Sequence, residues 1–435
     1  MRHLRFSLLI FTLLLFIVAG GFASVCAQPS FFAREISLAA TVAREDVDAL
    51  GVNDAGEYLV VWQVDAGHGN TDIWARHVAL RPDFRWLDEA FVVASSNKPE
   101  LAAALAYNPL DDEFLVVYEY AYNENDHDIL AQRVAGSADA PTPLIGAALP
   151  VGVTTGNEQS PDVAFLAATG QYLVVYEMDA DVWARRVARP HQGDDFLGDE
   201  FPVAADLGSS ESQAAVTAAE EPGYFLVSFT YAFSPDDDDI HAQRVRGERH
   251  AGEDLLGSGF SLAYSANREK TSTLAYSSSA RAFIILWQEM LPFNTDVRGV
   301  WVNADDNSSD PVIGSEFDVA ADLVAMEQSP AVDVDDDTGE VAVAFAYAAM
   351  AGDWSRPAML WLNRDPRAAH HLTSAVQVLP EASYDTLSPQ LHLSPGATQF
   401  LMGFTRRWGV SQEADRDAVL LDTARWGTAL PFVSK

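Results

Sequence analysis

Tyr58-Leu59-Val60-Val61-Trp62-Gln63, followed after a polar loop by Asp72-Ile73-Trp74-Ala75-Arg76-His77-Val78, decides how this chain folds. The first run returns as Phe114-Leu115-Val116-Val117-Tyr118-Glu119, Tyr172-Leu173-Val174-Val175-Tyr176-Glu177, Tyr224-Phe225-Leu226-Val227-Ser228-Phe229 and Phe283-Ile284-Ile285-Leu286-Trp287-Gln288. Weaker copies stand at Val341-Ala342-Val343-Ala344-Phe345 and Phe400-Leu401-Met402-Gly403-Phe404. The copies start 56, 58, 52, 59, 58 and 59 residues apart, so one unit of nearly constant length occurs seven times. Self-similarity at a fixed period points to an architecture before any single residue is interpreted.

Short, almost continuously hydrophobic runs rich in β-branched and aromatic residues suit strands buried on both faces. A smaller-residue strand is predicted ahead of each, over 47–52, 101–107, 161–165, 214–218, 273–276, 331–334 and 390–393. Turns such as Asn53-Asp54-Ala55-Gly56 and Glu221-Pro222-Gly223 join the two as antiparallel hairpins. A third strand opens with Asp and ends in Arg-Val, as in Asp128-Ile129-Leu130-Ala131-Gln132-Arg133-Val134. A fourth carries Phe91-Val92-Val93-Ala94, Phe201-Pro202-Val203-Ala204, Phe260-Ser261-Leu262-Ala263 or Phe317-Asp318-Val319-Ala320.

Four strands per unit, repeated seven times, predict an all-β fold: a seven-bladed β-propeller of four-stranded antiparallel blades. A β-solenoid is the rival, but its rungs are generally shorter and need no antiparallel meander. Glu35-Ile36-Ser37-Leu38-Ala39-Ala40 repeats the fourth-strand pattern, so an N-terminal strand is expected to close the ring in the last blade. Residues 428–433 offer a similar strand, and the order of the two stays open.

The combination Leu-Val-Val-Trp/Tyr, Asp-Ile-x-Ala-Gln-Arg-Val and Phe-x-Val-Ala resembles the repeats of secreted bacterial β-propeller proteins, over about the whole mature chain. The resemblance implies a fold and no reaction, because propellers host many functions. The sequence has no Trp-Asp repeat ending, no Ser-x-Asp-x-Gly-x-x-Trp box and no full Asp-x-Asn-x-Asp-Gly calcium loop. It therefore supplies no family active site.

Of the 435 residues, 49% are hydrophobic and 21% charged, the profile of a folded globular protein. Residues 1–27 read as a secretory signal: Arg2 and Arg5 precede an apolar run from Phe6 to Ala19, and Val25-Cys26-Ala27 is suited to cleavage. Residues 28–435 then form one propeller domain, secreted or periplasmic, with no membrane span, and a monomer is expected. Cys26 is the single cysteine, so cleavage after Ala27 removes thiol chemistry. A formal charge of −36 repels phosphate backbones, which excludes nucleic acid as the natural partner and favours cations.

The loops between second and third strands collect acidic residues on one face. Asp126, Asp128 and the run Asp236, Asp237, Asp238 and Asp239 form the oxygen-rich sites best suited to Ca²⁺. The competing reading makes the recurrent Asp residues loop caps that bond neighbouring amides. Tyr122, Tyr231, Phe233, Trp354 and Trp408 in the same loops are suited to stacking on sugar rings or anchoring a protein.

No His-Glu-x-x-His or Gly-x-Ser-x-Gly motif appears, and carboxylate pairs are too numerous to single out. The functional expectation is a binding or scaffold module presenting its acidic rim to a glycan or protein, loaded with Ca²⁺. The alternative is an extracellular polysaccharide hydrolase or lyase with carboxylates at the channel mouth. Convergent carboxylates of raised pKa in a central pocket would decide for catalysis. Arg133, Arg186 and Arg244 are expected to be structural, with Arg133 near Asp112 or Glu113.

Overall fold

The structure, a computed structural model, describes residues 32–38, 43–81, 83–190, 195–206, 208–249, 252–378, 384–394, 396, 399–408 and 415–424. The signal segment 1–27 and the strand read at 428–433 lie outside them. Among the described residues the regular elements are all strands, and no helix is long and apolar enough to cross a membrane.

The first strands are β1 (Phe32–Ser37), β2 (Glu45–Val52), β3 (Glu57–Gly67) and β4 (Asn70–Ala79). Leu50 pairs with Val60 and Val61 with Ala75, both antiparallel, and Phe91–Ala94 lies outside β4. The same four-stranded antiparallel meander is built from the innermost strands Glu100–Asn108, Glu158–Leu166, Glu211–Ala219, Arg268–Ser277, Met326–Val334 and Asp385–Leu393. Three consecutive meanders are linked by single parallel bridges, Asp238 to Arg268 and Thr295 to Met326. The fold is propeller-like: each innermost strand touches the next, and Asp385–Leu393 touches β2.

The outer place in the last sheet is taken by β1, which pairs with Asp415–Ala424 from Phe32–Ala424 to Ser37–Val419. The N-terminal strand expected beside C-terminal residues is therefore there.

Continuous hydrophobicity in the second strand has a direct cause. Leu59 and Val61 pack into one cluster with Phe114 and Val116, whereas Tyr58, Val60 and Trp62 pack into another with Leu401 and Leu420. Each face of the sheet meets a different neighbour, so alternation with polar residues would bury polar groups. Fully burying one such aliphatic side chain stabilises by about 1.5–3 kcal/mol.

The innermost strands begin one to five residues earlier than the sequence suggests. In six of them a non-glycine residue has φ between 43° and 54°: Ala102, Ser160, Gln213, Thr271, Ser329 and Ser388. The pairing register slips at the same place, as between Gln159 and Asp162. A bulge of this kind breaks the two-residue alternation that marks a strand, which hides the residues before it. Its amide is used: Ser160 N donates to Glu119 Oε2 (3.3 Å), Gln213 N to Glu177 Oε1 (2.7 Å) and Ser329 N to Gln288 Oε1 (3.2 Å). Glu119, Glu177 and Gln288, which close three of the hydrophobic runs, thus hold the next sheet.

Arg133 does what its position implies. Its Nη1 meets Glu113 Oε1 at 2.6 Å, its Nη2 donates to Ala188 O at 2.5 Å, and Tyr172 Oη donates to the same Glu113 oxygen at 3.0 Å. Arg186 reaches Asp254 (2.5 Å) and Arg246 O (2.9 Å), and Arg244 reaches Asp306 O (2.7 Å). The recurrent arginines therefore tie one repeat to the next.

Candidate active site

Two consequences of this topology govern where chemistry can occur. Antiparallel meanders put the loops between second and third strands at one end of the sheets and the hairpins between first and second strands at the other. At the hairpin end, the ends of five successive innermost strands surround a cavity of about 540 Å³. Its polar wall is Tyr107, Glu220, Glu221, Tyr276, Ser278, Asp333 and Asp336.

Hairpin turns favour Asp and Glu because short acidic side chains satisfy turn amides, and this cavity collects several such turns. Glu220 is fully engaged: its Oε1 accepts from Ala167 N (2.7 Å) and its Oε2 from Ala168 N (2.8 Å). Asp333 Oδ2 accepts from Leu393 N (2.7 Å) and lies 2.9 Å from His392 Nδ1, an ion-pair contact without hydrogen-bond alignment. Burial alone would depress His392, but the Asp333 carboxylate reverses this and favours the imidazolium.

Glu221 and Asp336 are not tied down by backbone amides. Glu221 Oε2 accepts a 2.5 Å hydrogen bond from Tyr276 Oη. Asp336 has Ser278 as its side-chain partner, and burial, reinforced by the Asp333, Asp335 and Glu221 charges, pushes it up to about 6. Asp336 is exposed to the cavity by its surface area, so the desolvation and like charge that raise it act on a carboxyl that water still reaches. The neighbouring turn behaves as the sequence implies, with Gly339 at φ 70° and Thr338 N donating to Asp335 Oδ1 at 2.7 Å.

The residues singled out in the sequence lie at the opposite end. Asp238 is buried against Arg268 Nε (2.6 Å) and Lys270 Nζ (3.2 Å), and Asp239 is buried further along the strand with its pKa raised by burial to about 6. Asp236 stays on the turn, and Asp237 pairs with Ser234. Asp126 takes a 3.3 Å bond from Asn123 Nδ2, while burial raises Asp128. Among the described residues no group of three or more His, Cys, Asp or Glu side chains gathers as a metal cluster.

Of the aromatic residues, Tyr231 stacks on His241 at 4.6 Å in a groove of about 510 Å³ that also holds Phe229 and Gln243. Tyr122 sits 5.2 Å from the Lys98 ammonium, Phe233 is exposed near the end of the strand Tyr224–Ser234, and Trp354 is exposed on a loop. No ring contact joins Tyr122, Phe233 and Trp354. Trp408 ends the strand Gln399–Trp408, and its side chain lies outside the described residues. The sequence alone does not single out Glu221 and Asp336, because each sits in a turn whose composition is explained by the turn itself; the signal for them is the recurrence of acidic pairs at one hairpin position.

A second set of carboxylates recurs at the other end. Glu100, Glu158, Glu211, Glu269 and Glu327 open or nearly open innermost strands, are at most 2% exposed, and each keeps one oxygen, Oε2, without a hydrogen-bond partner. Their other oxygens take Ser or Thr hydroxyls where one is near: Thr154 and Ser265 bond Glu158 and Glu269, and Ser209 bonds Glu211 at 2.7 Å. Burial pushes Glu269 and Glu327 up to about 7.

No family model matches the chain, and no curated protein matches it. Among solved structures it is similar to the NanB sialidase of Streptococcus pneumoniae, at 9% identity and TM-score 0.48 over 90% of this chain and 70% of that one. It is also similar to the catalytic domain of the GH62 α-L-arabinofuranosidase of Coprinopsis cinerea (9% identity, TM-score 0.40, 74% and 89% covered). A third is the endo-arabinase of Bacteroides thetaiotaomicron (11% identity, TM-score 0.37, 60% and 93% covered). Such identities concern fold alone. The expectation of a non-catalytic binding module is corrected in favour of its alternative: the cavity brings together the carboxylates, one of them raised, that the sequence ties to catalysis.

Proposed function

We propose that the chain is a closed seven-bladed propeller that hydrolyses an extracellular polysaccharide in the cavity at the hairpin end. The observation that carries this reading is the meeting of Glu221, Asp333 and Asp336, with Asp336 held in the range of a general acid. Closure is supported by the contact of the last innermost strand with β2 and by the pairing of β1 with Asp415–Ala424.

Glycoside hydrolysis needs one carboxylic acid to protonate the leaving oxygen and one carboxylate to act on water or on the sugar. Asp336 is the acid. Glu221, steered by the Tyr276 hydroxyl, is the base or nucleophile. Asp333, pinned by Leu393 N and His392, adds a negative field to the larger effect of burial in raising Asp336. Tyr107 and Tyr276 give the wall ring faces and hydroxyls of the kind that sugars use.

The test is release of reducing sugar from a panel of neutral and acidic polysaccharides. Asp336→Asn is expected to lower kcat by about 10²–10⁴ with the thermal midpoint unchanged. A folded Asp336→Asn protein with full activity would refute the assignment.

A further inference from the structure

The recurrent buried glutamates are not explained by this reaction, since they lie at the far end of the innermost strands from the cavity. Each lies beside an aspartate from the preceding repeat, Asp72 for Glu100, Asp128 for Glu158, Asp181 for Glu211, Asp239 for Glu269 and Asp296 for Glu327, as the contacts of the residues just before them show; Glu269 also feels Glu289. Repulsion between two such carboxylates disfavours the junction, and it recurs at five junctions.

We propose that these junctions bind hard divalent cations of the Ca²⁺ type, each held between the aspartate of one repeat and the glutamate that opens the next. Three observations carry this. The glutamates are at least 98% buried, yet Oε2 of Glu100, Glu158, Glu211, Glu269 and Glu327 meets no donor. At the first junction the facing atom, Asp72 Oδ1, is buried and without a hydrogen-bond partner as well. Finally, the backbone sets the pairs side by side: His127 bridges Asn157, Asp238 bridges Arg268 and Thr295 bridges Met326, in each case one residue before the pair.

A proton shared by two carboxyl groups needs their oxygens within about 2.5–2.7 Å, and the melts in chelator and in CaCl₂ described below separate that arrangement from a bound cation. The nearby basic side chains are otherwise engaged: Arg268 and Lys270 bind Asp238, and Arg298 binds Glu289 at 3.2 Å. Ca²⁺ bridges oxygens set farther apart, taking 6–8 of them at about 2.3–2.6 Å. Two carboxylates need not act alone, because hydroxyls and strand-end carbonyls lie beside them, as where Thr71 Oγ1 donates to Glu100 O at 2.9 Å. Mg²⁺ fits less well, since rigid strand ends do not offer its octahedral geometry.

The full chain, stripped with chelator, is titrated with CaCl₂ by calorimetry and by thermal melting, with MgCl₂ as control. Several Ca²⁺ ions per chain and a higher midpoint are expected. Glu100→Gln and Glu327→Gln are near-isosteric, and each is expected to remove one bound Ca²⁺ and part of the rise. Ca²⁺ binding unchanged in both variants, or a midpoint that CaCl₂ leaves where it was, would overturn the proposal. Variants that melt higher than the parent in chelator and equally so in CaCl₂ would overturn it too, assigning the pairs to protonated carboxyls. None of these readouts depends on the hydrolytic assignment.

Discussion

Arg416 Nη1 lies 2.9 Å from Asp46 Oδ2, joining residues 370 positions apart. Beside them Val47 N donates to Thr405 Oγ1 at 3.0 Å, so the final sheet is fastened to the first through adjacent residues of β2. Gly403 makes the approach possible, because a Cβ there would lie 2.8 Å from Val47 Cγ1.

Gly403→Val should therefore overpack this join and destabilise the protein by about 1–3 kcal/mol. Urea unfolding reads the effect as a lower midpoint. A midpoint equal to the parent's would mean that the two repeats do not meet as described.

Arg133→Ala should be costly for another reason. It strands the Glu113 carboxylate, which is almost wholly buried and shared with Tyr172, and it frees Ala188 O. Breaking one side of a buried pair costs about 3–5 kcal/mol. Adding Glu113→Gln should recover part of that loss in a double-mutant cycle, with cleavage rates per folded molecule unchanged.

Stability should fall between about pH 4 and pH 8 through Asp48. Burial raises this carboxyl to about 8, opposed by bonds from Gln63 Nε2 (2.5 Å) and the Ala103 backbone and aided by Asp46. A raised carboxyl contributes its stability below its unfolded pKa, near 4, and loses it as pH rises through about 8. Asp48→Asn keeps the Gln63 bond and carries no charge. Its melting point should exceed the parent's above pH 8, by on the order of 1–3 kcal/mol of stability, and the difference should be gone at pH 4.

Catalysis should show the opposite limb to a simple base. With Asp336 as the acid, kcat/KM is expected to decline as pH rises through about 6, the value at which that carboxyl loses its proton. Ser278→Ala, which removes its hydroxyl partner, should shift that limb upward. A profile flat from pH 5 to 8 would assign the acid elsewhere.

The architecture was legible because burial on two faces writes itself into the sequence. Leu59 and Val61 answer to one neighbour and Tyr58, Val60 and Trp62 to another, so the run has no polar gap. The recurrent arginines were legible too, since Arg133 sits opposite an acidic turn in any antiparallel register. What stayed hidden followed from the bulges. Ser160 and its equivalents break the alternation, so Glu158 and the other opening glutamates fell outside the strands they belong to. The cavity was hidden differently: Glu221 and Asp336 are 115 residues apart, and only the arrangement of the innermost strands brings them together.

The sheet containing β1 mixes the first described strand with the last three. A ribosome must therefore deliver residue 424 before that sheet can be completed, and until then Phe32–Ser37 waits without its mate. Trimming either terminus inside these strands should unlatch the whole body at one seam, whereas joining the ends and cutting a hairpin elsewhere should leave it intact.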